Sequence, residues 1–385
     1  MDETGVMMEK RWPSLRQFFF SVGLFIRFPS LGASIIMALF GAVSVARRLP
    51  SANGRLPSAM AVSGPQIAGI ILGAVAFHSF AYVLNDLVDL PIDRTEPRRK
   101  QFPLVRGLVP PRAALLFVLL QIPLTFAITY WLGGDGQAYA VLAAGFGFMA
   151  VYDVWGKRLF LPPLTDVAQG IGWGCLAVWA AALMPGELTR LTGLLFVYLV
   201  LFITLINGLH GSLRDLANDF QHGVRSTAVY LGVSPQRNEL PPRLKRYAFV
   251  LQATLIVVSF IPFFGNMLEY SAGAYLVTGT AVALLNLAAW RLLQRALNLI
   301  ADRPQMLAIG TLHLLALFGV LVALFTFRLP GWLQMVVLPL FLTPLLTHTW
   351  VRNTLKWAWR SGGAGPIAAS NFPTPDPEAT ADVMK

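Results

Sequence analysis

With one cysteine, five histidines and a charged fraction of 13% in 385 residues, the chain is poorly stocked for several kinds of chemistry. Cys175 lies inside an apolar stretch, so a disulfide framework and a cysteine-based metal site are both excluded. His210 and His222 lack the spacing of zinc ligands. Low charge combined with 56% hydrophobic residues and a mean hydropathy of +0.61 excludes an ordinary soluble domain. Acidic residues are the scarcer sign, 19 against 30 basic, for a net charge of +11. The basic excess is spread over short loops and not gathered on a polar domain. That pattern argues against nucleic-acid binding and for topology anchors that also contact anionic membrane lipids.

Long apolar runs are what the chain has in abundance. They lie at about 17–46, 65–90, 112–132, 137–155, 163–184, 190–213, 246–264, 272–297 and 305–327, with a further candidate at about 332–350. Such runs are too long and too uniformly apolar for barrel strands, and in lipid each must satisfy its own backbone, so the spans are expected to be helices. The expected fold is all-α, a polytopic transmembrane bundle of nine or ten helices around a central cavity. With a cytoplasmic N-terminus, 24 of the 30 Lys and Arg fall on one side. Arg47, Arg48, Arg55, Arg190 and Arg328 fall on the other, and Arg27 is left inside the first span. This asymmetry predicts that the first side is cytoplasmic and that the cavity opens there. Residues 1–16 read as a cytoplasmic N-terminal segment with no signal peptide, 17–330 as the transmembrane domain, 331–352 as an additional span and 353–385 as a disordered cytoplasmic tail.

Against this background two acidic runs stand out, Asn85-Asp86-Leu87-Val88-Asp89-Leu90-Pro91-Ile92-Asp93 and Arg214-Asp215-Leu216-Ala217-Asn218-Asp219. Carboxylates beside a bilayer core are costly without a cation or a basic partner. On a helix Asn85, Asp89 and Asp93 lie at i, i+4 and i+8, and Asp215 and Asp219 at i, i+4, so each set shares a face. Oxygen-only ligands grouped this way suit Mg²⁺, which commonly combines carboxylates with substrate phosphate oxygens. The competing structural reading pairs these acids with Arg94, Arg98, Arg99 and Arg214. Pro91 removes a helical hydrogen bond and is expected to kink or end the helix. Asp166, an ionisable group near the end of the fifth span, is a functional candidate or half of an ion pair with Lys157 or Arg158. His78 could reach a pocket but is better read as hydrogen-bonded inside the bundle. Gly208 and Gly211 read as helix-packing positions. The stretch from Gln221 to Arg246, with Arg225, is a candidate lid.

The stretch NDLVDLPID resembles the NDxxDxxxD motif of the UbiA superfamily of intramembrane prenyltransferases. RDLANDFQHGVRSTAVYLG is similar to that family's second DxxxD motif and the segment after it. Four spans separate the first motif's span from the second motif, as in the family. The resemblance implies Mg²⁺ binding by Asn85, Asp89, Asp93, Asp215 and Asp219, and diphosphate contacts from Arg98, Arg99 and Lys100. It also implies that Tyr152 with Lys157 and Arg158 matches the tyrosine and basic pair after the fourth span, and that Arg27 lies near an acceptor pocket.

The expected activity is Mg²⁺-dependent transfer of an isoprenyl group from a prenyl diphosphate to a lipophilic, aromatic acceptor, with release of diphosphate. Tyr82 and Tyr152 are the aromatics best placed to face an allylic cation. A terpene cyclase of the same superfamily, which ionises the same substrate and needs no acceptor, is the alternative. A transporter or lipid-binding protein without chemistry is a third.

Overall fold

The fold was obtained as a computed structural model, which describes residues 21–45, 63–96, 99–156, 159, 161–236, 239–265, 267–298 and 303–347. Among the described residues there are helices and connecting turns and no strands. The expected tail at 353–385, the N-terminal segment at 1–16 and the loop around Arg47, Arg48 and Arg55 lie outside them.

The long helices track the apolar runs closely: α1 (Phe28–Val43), α2 (Gly64–Val88), α4 (Pro111–Trp131), α5 (Gly136–Trp155), α6 (Pro162–Ala182) and α7 (Arg190–Leu205). After α7 come a π-helical segment (Ile206–Gly211), α8 (Ser212–Gln221), the short α9 (Thr227–Tyr230), α10 (Pro242–Phe264), α11 (Ala272–Ala296), α12 (Arg303–Phe325) and α13 (Gly331–Thr347). The short α3 (Leu90–Asp93) comes directly after α2. Among the described residues seven helices, with α7 through α8 taken as one of 32 residues, are long and apolar enough to cross a membrane, while α1 and α13 are shorter apolar helices. Many starts carry conventional signals. Ser63 with Gln66 and Thr189 with Thr192 form capping boxes, Asp135 caps α5, and proline opens α2, α4, α6 and α10.

The first apolar run differs from its expected form. Residues 21–25 are helical, but the chain turns at Ile26 and Arg27 before α1 begins. Arg27 adopts a left-handed conformation (φ 49°, ψ 51°) and Pro29 stands in the first turn of α1, where its missing N–H costs nothing. Arg27 is therefore at a break between two helical pieces and not inside a continuous span.

α6 packs between α5, α7 and α1, with α2 against α4, α5 and α1, α7 against α10, and α11 against α12. Small residues permit the closest approaches. A Cβ at Gly41 would collide with the Ala177 carbonyl of α6, and one at Gly170 with the Val200 carbonyl of α7. α13 packs against α1. At one end of the bundle Arg328, 4% exposed, donates to the carbonyls of Val43, Val45 and Leu268, tying α1 to the later helices. The acidic segments lie at the opposite end of α2.

Candidate active site

The first acidic segment is shaped by Pro91. The regular part of α2 stops at Val88, Asp89 is its C-cap, and the chain turns once more through α3. The backbone remains connected across the break, because Asp89 N–H donates to the Asn85 carbonyl (2.9 Å) and Asp93 N–H to that of Asp89 (2.8 Å). The second segment reaches the site differently. α7 does not end before it. The six residues Ile206–Gly211 widen into a π-helix and then narrow again into α8, which carries Asp215 and Asp219. A π-helical turn rotates the next stretch of helix relative to the preceding one, and such turns recur at functional sites.

The two segments meet at one small cavity of about 80 Å³. Asn85, Asp89, Asp215, Asp219, Tyr152 and Asp166 line it, so six of the residues singled out in the sequence converge. Asp89 and Asp219 are buried. Asp93 is buried too but is not among the lining residues; its Oδ2 lies 3.6 Å from Arg99 Nη1. Burial pushes the Asp93 carboxyl up to about 6, with Arg99 pulling it down and the neighbouring Asp86 and Asp89 adding to the rise. Lys100 and Arg225 are exposed and lie outside the lining. Arg98, Lys157 and Arg158 fall outside the described residues.

Asp86 has a separate role. It pairs with Arg27 and also lies 3.2 Å from Arg99 Nη1. The Arg27 guanidinium is 5.2 Å from the Tyr82 ring centre, and Arg99 is 5.0 Å from that of Phe102. Two arginines and two aromatic rings thus hold the first segment from its outer side. In the second segment, among the described residues, Arg214 Nη2 lies 2.8 Å from Asp215 Oδ2.

Asp166 is anchored by Thr227 of the candidate lid, whose hydroxyl donates to Oδ2, and by Asn207 Nδ2, 3.4 Å from Oδ1. Asn207 also donates to the Tyr152 hydroxyl (2.6 Å) and to Gln169. It occupies the π-helical segment, so the widened turn is tied to α5 and α6 through its side chain. A Cβ at Gly208 would meet the Tyr247 hydroxyl at 2.5 Å and Asp166 Oδ2 at 2.9 Å, in keeping with its reading as a packing position. His78 is fully buried, with Nδ1 2.8 Å from Ser34 Oγ and Nε2 2.8 Å from the Ile26 carbonyl, as the bundle-histidine reading expects. His210 pairs with His313 at 2.8 Å.

Asn207 and Asp153 are lining residues of chemical interest that the sequence reading does not include. Asn207 offers no spacing signal. Asp153 does carry one, since a carboxylate within an apolar span is a functional candidate by default, the argument that singled out Asp166. It is 5% exposed, and neither carboxylate oxygen has a hydrogen-bond partner of normal geometry among the described residues. Among the described residues no three acidic, imidazole or thiol groups already converge at metal-ligand distance. The donor set nonetheless suits Mg²⁺. Its candidates are hard oxygens, one buried carboxylate is unsatisfied, and this ion characteristically takes one or two protein carboxylates and completes its shell with water and phosphate.

Comparison with known proteins bears on the family and the fold. Residues 35–308 match the UbiA prenyltransferase family. A 4-hydroxybenzoate octaprenyltransferase from Pseudomonas syringae pv. syringae is 31% identical over 169 residues, 42% of this chain and 53% of the relative. The chain thus spans about half the length of the curated relatives it matches. A UbiA homolog from Archaeoglobus fulgidus bound to DMAPP and Mg²⁺ shares the fold with a TM-score of 0.55 at 14% identity, covering 78% of this chain and 99% of the other. The apo UbiA homolog from Aeropyrum pernix K1 does so with a TM-score of 0.53 at 18% identity, covering 75% and 96%. Two acidic segments brought together by an all-helical bundle, with a family match over most of that bundle, lead to one assignment: the chain belongs to the UbiA prenyltransferase family.

Proposed function

We propose that this protein transfers an isoprenyl group from a prenyl diphosphate to a lipophilic, aromatic acceptor within the membrane, with release of diphosphate. The observation that carries the reading is the convergence of Asn85, Asp89, Asp215 and Asp219 on one buried cavity beside Arg214 and Tyr152. These four residues would hold Mg²⁺, with Asp93 at the edge of the set. Bound Mg²⁺ would supply charge neutralisation to the departing diphosphate. Arg99 and Lys100, together with Arg98, Lys157, Arg158 and Arg225, would attract and orient the substrate's phosphates, and Arg27 would lie toward the acceptor. Apolar helix faces exclude water from the allylic carbon, so the reactive group meets the acceptor before it meets solvent. Tyr152, held by Asn207, presents its ring at the cavity, and Tyr82 stands behind Arg27.

We further infer that nine or ten helices cross the bilayer, that 17–330 forms the catalytic domain with 331–352 an added span, and that the cavity opens to the cytoplasm. The concentration of Lys and Arg on the acidic side supports that orientation. The protein would then be a multi-pass integral membrane protein, of the cell membrane if bacterial. The cavity has room for an ion and its waters but not for an isoprenyl chain. The isoprenyl chain would therefore lie beyond the cavity along the apolar helix faces, with Thr227 of α9 at the cavity wall.

The test is mass spectrometry of products from membranes given prenyl diphosphates of graded length, with and without phenolic, quinoid and glycerophosphate acceptors. The acceptor in the relatives' names, 4-hydroxybenzoate, is the first to try. A prenylated phenol formed only with Mg²⁺ supports the proposal. A hydrocarbon or terpene alcohol formed from the diphosphate alone would replace it with the cyclase reading.

A further inference from the structure

Among the described residues, Asp89, Asp153, Asp166, Asp215 and Asp219 line the cavity together with Arg214. Four of these carboxylates have partners or lie in the segments already assigned. Asp166 is bonded by Thr227 and Asn207, Asp215 is paired with Arg214, and Asp89 and Asp219 belong to the two acidic segments. Asp153 is different. It projects from the last turn of α5 and is 5% exposed, with Asn85 and Asp89 close enough to act on it electrostatically. By distance and angle neither of its oxygens has a hydrogen-bond partner among the described residues, although Asn85 is near enough to bear on its charge.

A buried carboxylate with no well-placed donor costs several kcal/mol, and a second carboxylate beside it adds to that cost. Folding keeps such a group only where something else compensates. The compensation must enter through the cavity, because that is the polar space Asp153 faces, and the carboxylates already there are acceptors and not donors. A divalent cation beside Asp89 meets the requirement at Asp153.

We propose that Asp153 is a direct ligand of the divalent cation, adding α5 to the metal-binding elements alongside the two acidic segments. The inference rests on the metal-site reading given above. It also gives Tyr152 a reason for its position, since the residue beside it is drawn toward the ion and the tyrosine ring is carried to the cavity wall.

The test uses the purified full-length protein in detergent, without substrate, and Mn²⁺ as the probe. Electron paramagnetic resonance measures Mn²⁺ affinity, and thermal unfolding is monitored in chelator and at saturating Mn²⁺. Asp153→Asn and Asp153→Ser are each expected to weaken Mn²⁺ binding at least about tenfold, as loss of a charged ligand should. In chelator both variants should unfold at or above the wild-type temperature, because an uncompensated buried charge has been removed. Asp89→Asn serves as the reference. If it loses affinity while both Asp153 variants bind Mn²⁺ as tightly as wild type, the proposal falls and the metal site stands. Unchanged binding in Asp89→Asn would remove the metal-site reading itself. Destabilisation of both Asp153 variants in chelator would assign the residue a purely structural role and overturn the proposal.

Discussion

The two acidic segments arrive at the same cavity by opposite routes. The first stands where α2 breaks, with Asp89 as a helix cap and Pro91 preventing the regular helix from continuing. The second rides on a helix that never breaks but widens by a π-helical turn just before it. Their electrostatic support differs as well. Arg27 and Arg99 reach the first segment from elsewhere in the chain and bind Asp86, whereas Arg214 pairs with its own neighbour Asp215. The first segment is thus held by long-range ion pairs. Among the described residues the second segment's ion pair, Arg214 with Asp215, lies within its own helix.

The largest effect should come from removing one carboxylate of each segment. Asp89→Asn and Asp215→Asn are each expected to lower turnover at least about a hundredfold at saturating Mg²⁺, with normal membrane insertion. Near-normal turnover in either, measured by diphosphate release, would show that the two segments do not share one metal site.

Asp86→Asn should separate the segments by stability. It leaves Arg27 and Arg99 close together without their carboxylate, in a pair whose side chains are 17% and 8% exposed on the Arg27 and Asp86 sides. Breaking such a pair costs about 3 kcal/mol, so thermal unfolding in detergent should occur at a clearly lower temperature. Replacing Arg214 by Gln should cost less than about 1 kcal/mol, because its side chain is 45% exposed and solvent screens the interaction. Equal losses would erase the contrast between long-range and local support.

The π-helical turn can be tested at Gly208. Alanine there must push aside the Tyr247 hydroxyl or Asp166, at a cost of about 1–3 kcal/mol, and should lower activity by re-aiming α8. Adding Tyr247→Phe, which removes the obstructing hydroxyl, should recover part of the loss. Failure to recover any activity would place the strain at Asp166 instead.

The smallest effects are expected at Lys100→Ala and Arg225→Ala, since both side chains are exposed outside the cavity lining. Each should change the KM for prenyl diphosphate by less than about tenfold and leave kcat nearly unaltered. A drop in kcat would mean that their loops close over the substrate during turnover.

The range of each interaction decides how much of this architecture was legible in advance. Helix positions were readable because a membrane span is a local property, about twenty apolar residues that satisfy their own backbone. The stop in α2 was readable because Pro91 acts on its own turn. The break at Arg27 was not, although Pro29 lies two residues on, because the turn is held in place by distant partners, Asp86 and the Tyr82 ring. The π-helical segment had no sequence signature, and its widening is matched by contacts with Tyr152, Asp166 and Gln169 on other helices.

The sequence by itself determined that the chain is a bundle of apolar helices, which face of each acidic segment carries its carboxylates, and the family whose motifs they form. Those depend on composition and on the 3.6-residue repeat, which act within one helix. Only the tertiary structure decided which carboxylates meet. It turned Asp86 and Asp93 toward arginines, brought Asp166 and Asp153 to the cavity with Asp89 and Asp219, and left Lys100 and Arg225 outside. The reason is that the rotation and approach of neighbouring helices are set by packing between α5, α6, α7 and α2, where small residues such as Gly170 let backbones touch. No spacing along one helix encodes how another will be turned against it.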